Sequence, residues 1–258
     1  NADNYILGKN QGLITGASIL RPGNPDLKCE ASEQLNIGMD ASFFNGKLTA
    51  NVDYYVKETK DMLISLPVSF EAGFQSAPSI NGGSISNKGL ELTMGFREKI
   101  GDLNWSISGN LSSVSNKVTS LGIGLPITGS SVSSYISLPA TYTEVGEEVG
   151  YFKGYIVDGI YQSDSDVDLE FQPNAKAGDF KFRDINNDGV LTDEDKTKIG
   201  SPWPNFTYGA NIDLEYKGFD FNLSITGVSG NDIFNANKIN TYPMKYFGGS
   251  GVVNASKN

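Results

Sequence analysis

Apolar and polar residues alternate along several stretches of the chain with a period of two, the spacing that sends successive side chains to opposite faces of a β-strand. The first stretch runs through Leu35, Ile37, Met39, Ala41 and Phe43, with Asn36, Gly38, Asp40 and Ser42 between them. After Asn45-Gly46 the rhythm resumes at Leu48, Ala50, Val52, Tyr54 and Val56. Asn-Gly accepts the positive φ angles of a type I′ turn, so residues about 34–57 read as a hairpin. A second hairpin, over about 85–115, follows from Leu90, Leu92, Met94 and Phe96, a turn at Gly101-Asp102, and then Leu103, Trp105, Ile107, Gly109 and Leu111. A third, over about 205–228, pairs Phe206, Tyr208, Ala210, Ile212, Leu214 and Tyr216 with Phe219, Phe221, Leu223 and Ile225 across Lys217-Gly218. Six strands of ten or so residues are predicted.

The intervening positions carry Asp40, Asn51, Asp53, Glu91, Arg97, Asn104, Asn110, Asn211, Asp213, Glu215, Asp220 and Asn222. One face is therefore apolar and the other strongly polar. Two all-β architectures satisfy this pattern. In a soluble sandwich the apolar side packs on a second sheet; in a transmembrane β-barrel it meets lipid while the polar side faces a hydrated interior. Loop lengths favour the barrel, because the turns within hairpins are tight while the links at about 58–84 and 117–204 are long. Tyr54, Tyr55, Trp105, Tyr208, Tyr216 and Phe219 lie near strand ends, as an interfacial aromatic girdle requires. Aromatics are common in any strand, so that sign alone decides nothing.

Composition narrows the chemistry. Among 258 residues there is no histidine, which excludes histidine triads and histidine-ligated zinc. A net charge of -10 repels phosphate backbones and argues against a nucleic-acid partner. The lone Cys29 excludes an internal disulfide and any two-cysteine metal motif. No window holds the ~18 consecutive apolar residues of a membrane-spanning helix, and Asn1–Asn10 carries no basic-then-apolar leader pattern. Neither feature bears on a barrel, whose strands average to a mildly polar hydropathy.

Within the second long link, residues 184–195 carry the spacing of a calcium loop. Asp184, Asn186, Asp188, Val190 through its carbonyl, Thr192 and Asp195 supply oxygens at the ligand positions, and Gly189 permits the sharp bend. Asp195 stands where a longer bidentate glutamate is usual, and Gly178–Arg183 alternates like a strand, so a static calcium clip is expected rather than a helix-opening sensor. The competing reading is an acidic loop closed by Asx turns. Other acids, including Glu147-Glu148 and Asp164, Asp166 and Asp168, read as solvated charge runs, so no catalytic pair and no enzyme is expected. Gly122-Ile123-Gly124 precedes no P-loop lysine. The segment Tyr151, Phe152 and Tyr155 has rings suited to stacking on sugars, or simply to packing the loop.

Taken together, ordered segments resemble the TonB-dependent outer-membrane transporters of the SusC/RagA type. They are Asn24-Pro-Asp-Leu-Lys-Cys-Glu30 leading into Leu35–Asp40; Phe43-Phe-Asn-Gly-Lys-Leu48 leading into Val52-Asp-Tyr-Tyr55; Thr59–Leu63; Asn87–Leu92; Gly154–Ile160; the acidic loop followed by Ile199-Gly-Ser-Pro202; and Phe206–Gly209 with Tyr216–Asp220. Cys29 replaces the family's usual tryptophan or similar residue. The resemblance implies part of a barrel of about 22 strands with long extracellular loops, placed in the Gram-negative outer membrane. It also implies a SusD-like surface lipoprotein, energy from the TonB complex, and glycan or peptide cargo. The family's plug domain and closing aromatic strand are expected to be absent here, with Gly248–Asn258 forming no strand. Open edges in lipid would leave backbone groups unsatisfied, so the chain is expected to be a piece of a larger transporter. The alternative is a soluble β-sandwich carbohydrate-binding module with a calcium-stabilised loop.

Overall fold

A computed structural model describes residues 2–7, 12–17, 23–65, 78–122, 124–133 and 136–236. The Gly248–Asn258 segment lies outside the described residues. The chain opens with a hairpin, β1 (Ala2–Leu7) and β2 (Gly12–Ala17). Four long strands follow: β3 (Ala31–Phe43), β4 (Leu48–Ser65), β5 (Ser79–Ile100) and β6 (Leu103–Leu121). Short elements then occupy an insertion: β7 (Ile127–Thr128), β8 (Ser131–Ser133), β9 (Ile136–Pro139), β10 (Thr141–Thr143), β11 (Tyr151–Gly154), β12 (Val157–Ile160), β13 (Phe180–Phe182) and β14 (Thr197–Gly200). The chain returns in β15 (Phe206–Tyr216) and β16 (Phe219–Ser229).

One six-stranded antiparallel sheet, ordered β3-β4-β5-β6-β15-β16, forms a wall in which chain neighbours pair throughout except that β6 pairs with β15 across the insertion. Its register carries the sequence alternation across the sheet. Met39, Val52, Leu92, Leu111, Tyr208 and Gly227 form one cross-strand row, and Phe43, Leu48, Phe96, Ile107, Ile212 and Leu223 form another on the same face. Asp40, Asn51, Thr93, Asn110, Gly209 and Thr226 form a row of the opposite face. A slip of one residue on any strand would exchange the faces, so this alignment is strongly specified.

No second sheet covers the apolar face among the described residues: Met39 is 64% exposed and Phe219 79%, with Leu35, Ile37, Leu90, Phe221 and Ile225 also exposed. The sandwich arrangement is therefore not found here. Uncovered apolar surface of this extent signals an apolar environment. From Tyr208 to Tyr216 the apolar face spans about 26 Å along the strand at ~3.3 Å per residue, the same order as the ~25 Å lipid-facing band of outer-membrane barrels. Tyr54 and Tyr208 sit toward the loop end, while Trp105, Tyr216 and Phe219 sit toward the turn end. Tyr55 departs from the expected girdle: its odd position puts it on the polar face, paired with Gly89.

The turns differ in detail from expectation. Phe43 pairs with Leu48, so residues 44–47 form a four-residue loop rather than a two-residue turn at Asn45-Gly46. Phe44, Asn45 and Gly46 take φ of 55°, 56° and 84°. Lys217-Gly218, with φ of 48° and 85°, is the type I′ turn. Strand lengths also differ: β4, β5 and β6 have 18, 22 and 19 residues, so much of the expected loop at 58–84 is strand and β6 runs to Leu121. Beyond the apolar band both faces are polar, as at Glu58-Thr59-Lys60 and Ser86-Asn87-Lys88, and the hydropathic alternation that marks a strand fades while the ladder continues.

The insertion, residues 122–205, holds a four-stranded sheet ordered β14-β11-β10-β7 and the ribbons β12-β13 and β8-β9. Its core differs in kind from the wall: among the described residues the buried apolar side chains are Tyr151, Tyr161 and Phe171 of the insertion and Val118 of β6, where the insertion attaches. Two predictions follow from this architecture. Gly218→Ala, which puts a Cβ on a left-handed residue, is expected to cost about 1–2 kcal/mol in urea titrations of the folded protein; an unchanged midpoint contradicts the turn assignment. Met39→Lys is expected to cost about 2–4 kcal/mol in bilayer unfolding, whereas Thr93→Lys on the opposite face leaves the midpoint nearly unchanged. Equal costs for the two would contradict a lipid-facing side.

Candidate functional site

The candidate functional surface comprises the polar face and the insertion. On the wall, polar side chains bridge neighbouring strands. Asn51 donates to Asp40. Asp213 accepts from Ser106 Oγ at 3.1 Å and from Asn222 Nδ2 at 2.5 Å, linking three strands, and Glu215 accepts from Asn104 at 3.1 Å. Ser112 and Thr207 share a 2.6 Å hydrogen bond, and Asn116 donates to Asn87 at 2.6 Å. Amide and hydroxyl donors thus hold carboxylates along a surface that water can wet.

The insertion attaches where the strands become unequal. β15 pairs with β6 only as far as Ser112, leaving the upper edge of β6 free of a strand partner. Gly146 and Glu147 take that place: Val118 N donates to Glu147 O at 2.8 Å, and Gly146 N donates to Val118 O at 2.9 Å. Asn116 Oδ1 accepts from Val149 N at 2.8 Å, and Val149 O accepts from Trp203 Nε1 at 2.9 Å. Past β16, Asp232 accepts from Ser201 N at 2.9 Å and donates its own amide back to Ser201 O at 2.6 Å. An otherwise exposed strand edge is covered and its backbone groups are paired.

Glu148 anchors the seat. Lys198 Nζ lies 2.9 Å from it and the Ser201 hydroxyl donates to it. Burial pushes its carboxyl up, but Ser201 and Lys198 outweigh that and leave it below the usual carboxylate range. Lys198 also lies 3.5 Å from Glu147, so the adjacent acids share one cation and do not face each other across a cleft. Sequence reasoning missed this set because its members stand about fifty positions apart. The only local signal was the proline-flanked Trp203.

The aromatic segment is packed. Tyr151 is 2% exposed with its ring 6.4 Å from that of Tyr142; burial first, and then Glu144, push its phenol well above the usual range. Phe152 packs on Phe234, and Tyr155 on Phe182 at 5.1 Å. Lys196 lies 5.3 Å above the Tyr155 ring.

The loop 184–195 is closed by its own side chains. Asp184 accepts from Asn187 N at 2.6 Å and Gly189 N at 2.9 Å, with Asn187 and Gly189 at φ 60° and 77°. Asn186 Oδ1 accepts from Asp188 N, and Asp188 Oδ1 from Val190 N. Asn186 Nδ2 lies between Asp188 Oδ2 and Glu194 Oε2, at 2.8 and 3.3 Å. Thr192 Oγ1 accepts from Glu194 N. Asp195 is fully buried and accepts from Thr192 N and Ile185 N at 2.8 and 2.9 Å; these amides hold its carboxyl below the usual range. Among the described residues no three acidic, cysteine or histidine side chains converge to metal-ligand distance. The donor set is of the hard-oxygen type that suits calcium.

Comparison with known proteins places these features. The family model for the TonB dependent receptor-like β-barrel matches residues 3–256. The TonB-dependent receptor P26 of Formosa agariphila is 33% identical over 88% of this chain and 23% of its own length. The TonB-dependent receptor SusC of Bacteroides thetaiotaomicron is 27% identical over 90% of this chain and 23% of its own length. The solved structure of the RagAB peptide transporter superposes with a TM-score of 0.66 at 26% identity, covering 90% of this chain and 24% of that one. The chain thus spans about a quarter of these relatives, and it belongs to the TonB-dependent receptor β-barrel family.

Proposed function

We propose that the chain is a portion of the wall of a nutrient importer in the Gram-negative outer membrane. It would import an oligosaccharide or a peptide through a barrel of the SusC type, closed by a partnering surface lipoprotein and energised through TonB. The observation that carries this reading is the uncovered, in-register apolar face backed by an equally continuous polar one. Such a wall suits hydrocarbon on one side and a hydrated bore on the other. The tight turns then face the periplasm and the insertion stands at the external mouth. Kinship to SusC, and likeness to the barrel of a peptide transporter, support import without choosing between the two cargo classes. On this reading Glu147 and Glu148 of the insertion serve as its anchor and form no catalytic pair, since both face Lys198. Cells carrying the full-length importer are expected to accumulate labelled oligosaccharide or peptide, and to lose uptake when the TonB complex is removed. Uptake that persists without TonB contradicts the reading.

For residues 184–195 we further propose a calcium clip. Asp184, Asn186, Asp188, Thr192 and Asp195, with the Val190 carbonyl, would hold the ion, which would supply positive charge to a loop that carries five acidic side chains in twelve residues. Calorimetric titration of the chelator-treated importer is expected to show calcium uptake that Asp184→Asn with Asp188→Asn abolishes. Absence of calcium heat in the unaltered protein contradicts the clip and leaves the Asx-turn closure.

A further inference from the structure

On the polar face, two glycines let neighbouring side chains lie against the wall instead of projecting from it. A Cβ built on Gly89 of β5 would lie 2.4 Å from Cε1 and Cζ of Tyr55, and one built on Gly38 of β3 would collide with the Asp53 carboxylate. Tyr55 and Asp53 are alternate residues of β4 between those two strands, so both belong to the polar face. The hydroxyl end of the phenol ring therefore lies over Gly89 of the neighbouring strand, and Tyr55 is half-buried there. Register places Glu91 opposite Asp53 and two residues from Gly89, and places Asn36 opposite Tyr55. Asn36 is itself held by Gln34 Nε2 at 2.8 Å. Among the described residues no basic side chain forms an ion pair with Asp53 or Glu91.

We propose that Tyr55, seated on Gly89 and flanked by Asp53, Glu91 and Asn36, is a binding subsite for one pyranose ring of a neutral saccharide cargo; this rests on the importer reading above. A flat aromatic face accepts the apolar C–H face of a sugar ring. The surrounding carboxylate and amide oxygens accept hydrogen bonds from hydroxyls at the ring's rim, and each carboxylate can take several donors at once. A glycine beneath the ring is needed for this use, since any side chain at position 89 would tilt Tyr55 off the wall. A peptide strand offers the two carboxylates its amides or a cation but has no rigid apolar ring face to match the platform. Along the strands the subsite lies one row below Asn87 and Asn116, and across the sheet it lies two strands from β6, on which the insertion is seated.

The test uses the full-length importer with its partner, purified in detergent and assayed in cells. Fluorescent neutral hexose oligosaccharides of graded length serve as one probe and a peptide mixture of the same size range as the other. Tyr55→Ala is expected to weaken oligosaccharide binding roughly three- to tenfold, Tyr55→Phe to retain it, and peptide binding to stay unchanged. Gly89→Val, which keeps the tyrosine but displaces its ring, is expected to match Tyr55→Ala. Heat-modifiable gel mobility reports whether each variant folds, and the Ala/Phe pair decides the matter if Gly89→Val does not. Oligosaccharide binding that survives Tyr55→Ala overturns the subsite alone, as does an equal loss of peptide binding or a wild type that takes peptides only. A wild type that binds and imports neither class overturns the importer reading as well.

Discussion

A sheet one layer thick has no interior, so each of its faces must be solvated by something, and the whole molecule follows from that constraint. The six strands of the wall keep their apolar residues in shared cross-strand rows, so a single greasy surface results instead of six separate stripes. Because the side-chain period is two, this surface and its polar reverse are one decision made at the first pairing and carried by every ladder after it. Hydrophobic burial, which organises an ordinary domain from within, is here deferred to the environment. Among the described residues, the apolar side chains that the chain buries by itself are confined to the insertion and its attachment, at Val118, Tyr151, Tyr161 and Phe171.

The wall was legible in the sequence because both of its signals are local. Alternation at Leu35–Phe43 and a glycine turn at Lys217-Gly218 can be read within a dozen residues, and strand pairing then follows from adjacency. Legibility failed where chemistry was uniform on both faces. Ser79–Lys88 extends the β5 ladder but carries polar residues on either side, so no periodicity reveals it. The turn after Phe43 failed for another reason: Asn45-Gly46 takes the left-handed angles expected of it, but Phe44 joins them and lengthens the loop. Tyr55 looked like its neighbour Tyr54 in a list of aromatics, and only strict counting of the period separates the face of one from the face of the other.

The functional surface was less legible, since it is assembled from distant pieces. Glu148 meets Lys198 and Ser201, Asn116 meets Val149, and Tyr55 meets Gly89; each pairing depends on register or on where the insertion lands. The acidic loop was visible from its spacing alone. Its side chains nonetheless serve the backbone first, since Asp184, Asp188 and Asp195 each accept from loop amides. A ligand-like spacing and a self-closing loop thus use the same residues, because the curl that gathers oxygens for an ion also brings amides within their reach.

The unequal strand lengths have a mechanical consequence. Because Gly146–Glu147 continues the hydrogen-bond ladder of β6 past the point where β15 stops, the base of the insertion is welded to the staves and cannot swing as a hinged flap without tearing backbone bonds. On the importer reading, any opening and shutting of the mouth on this side would leave this base in place.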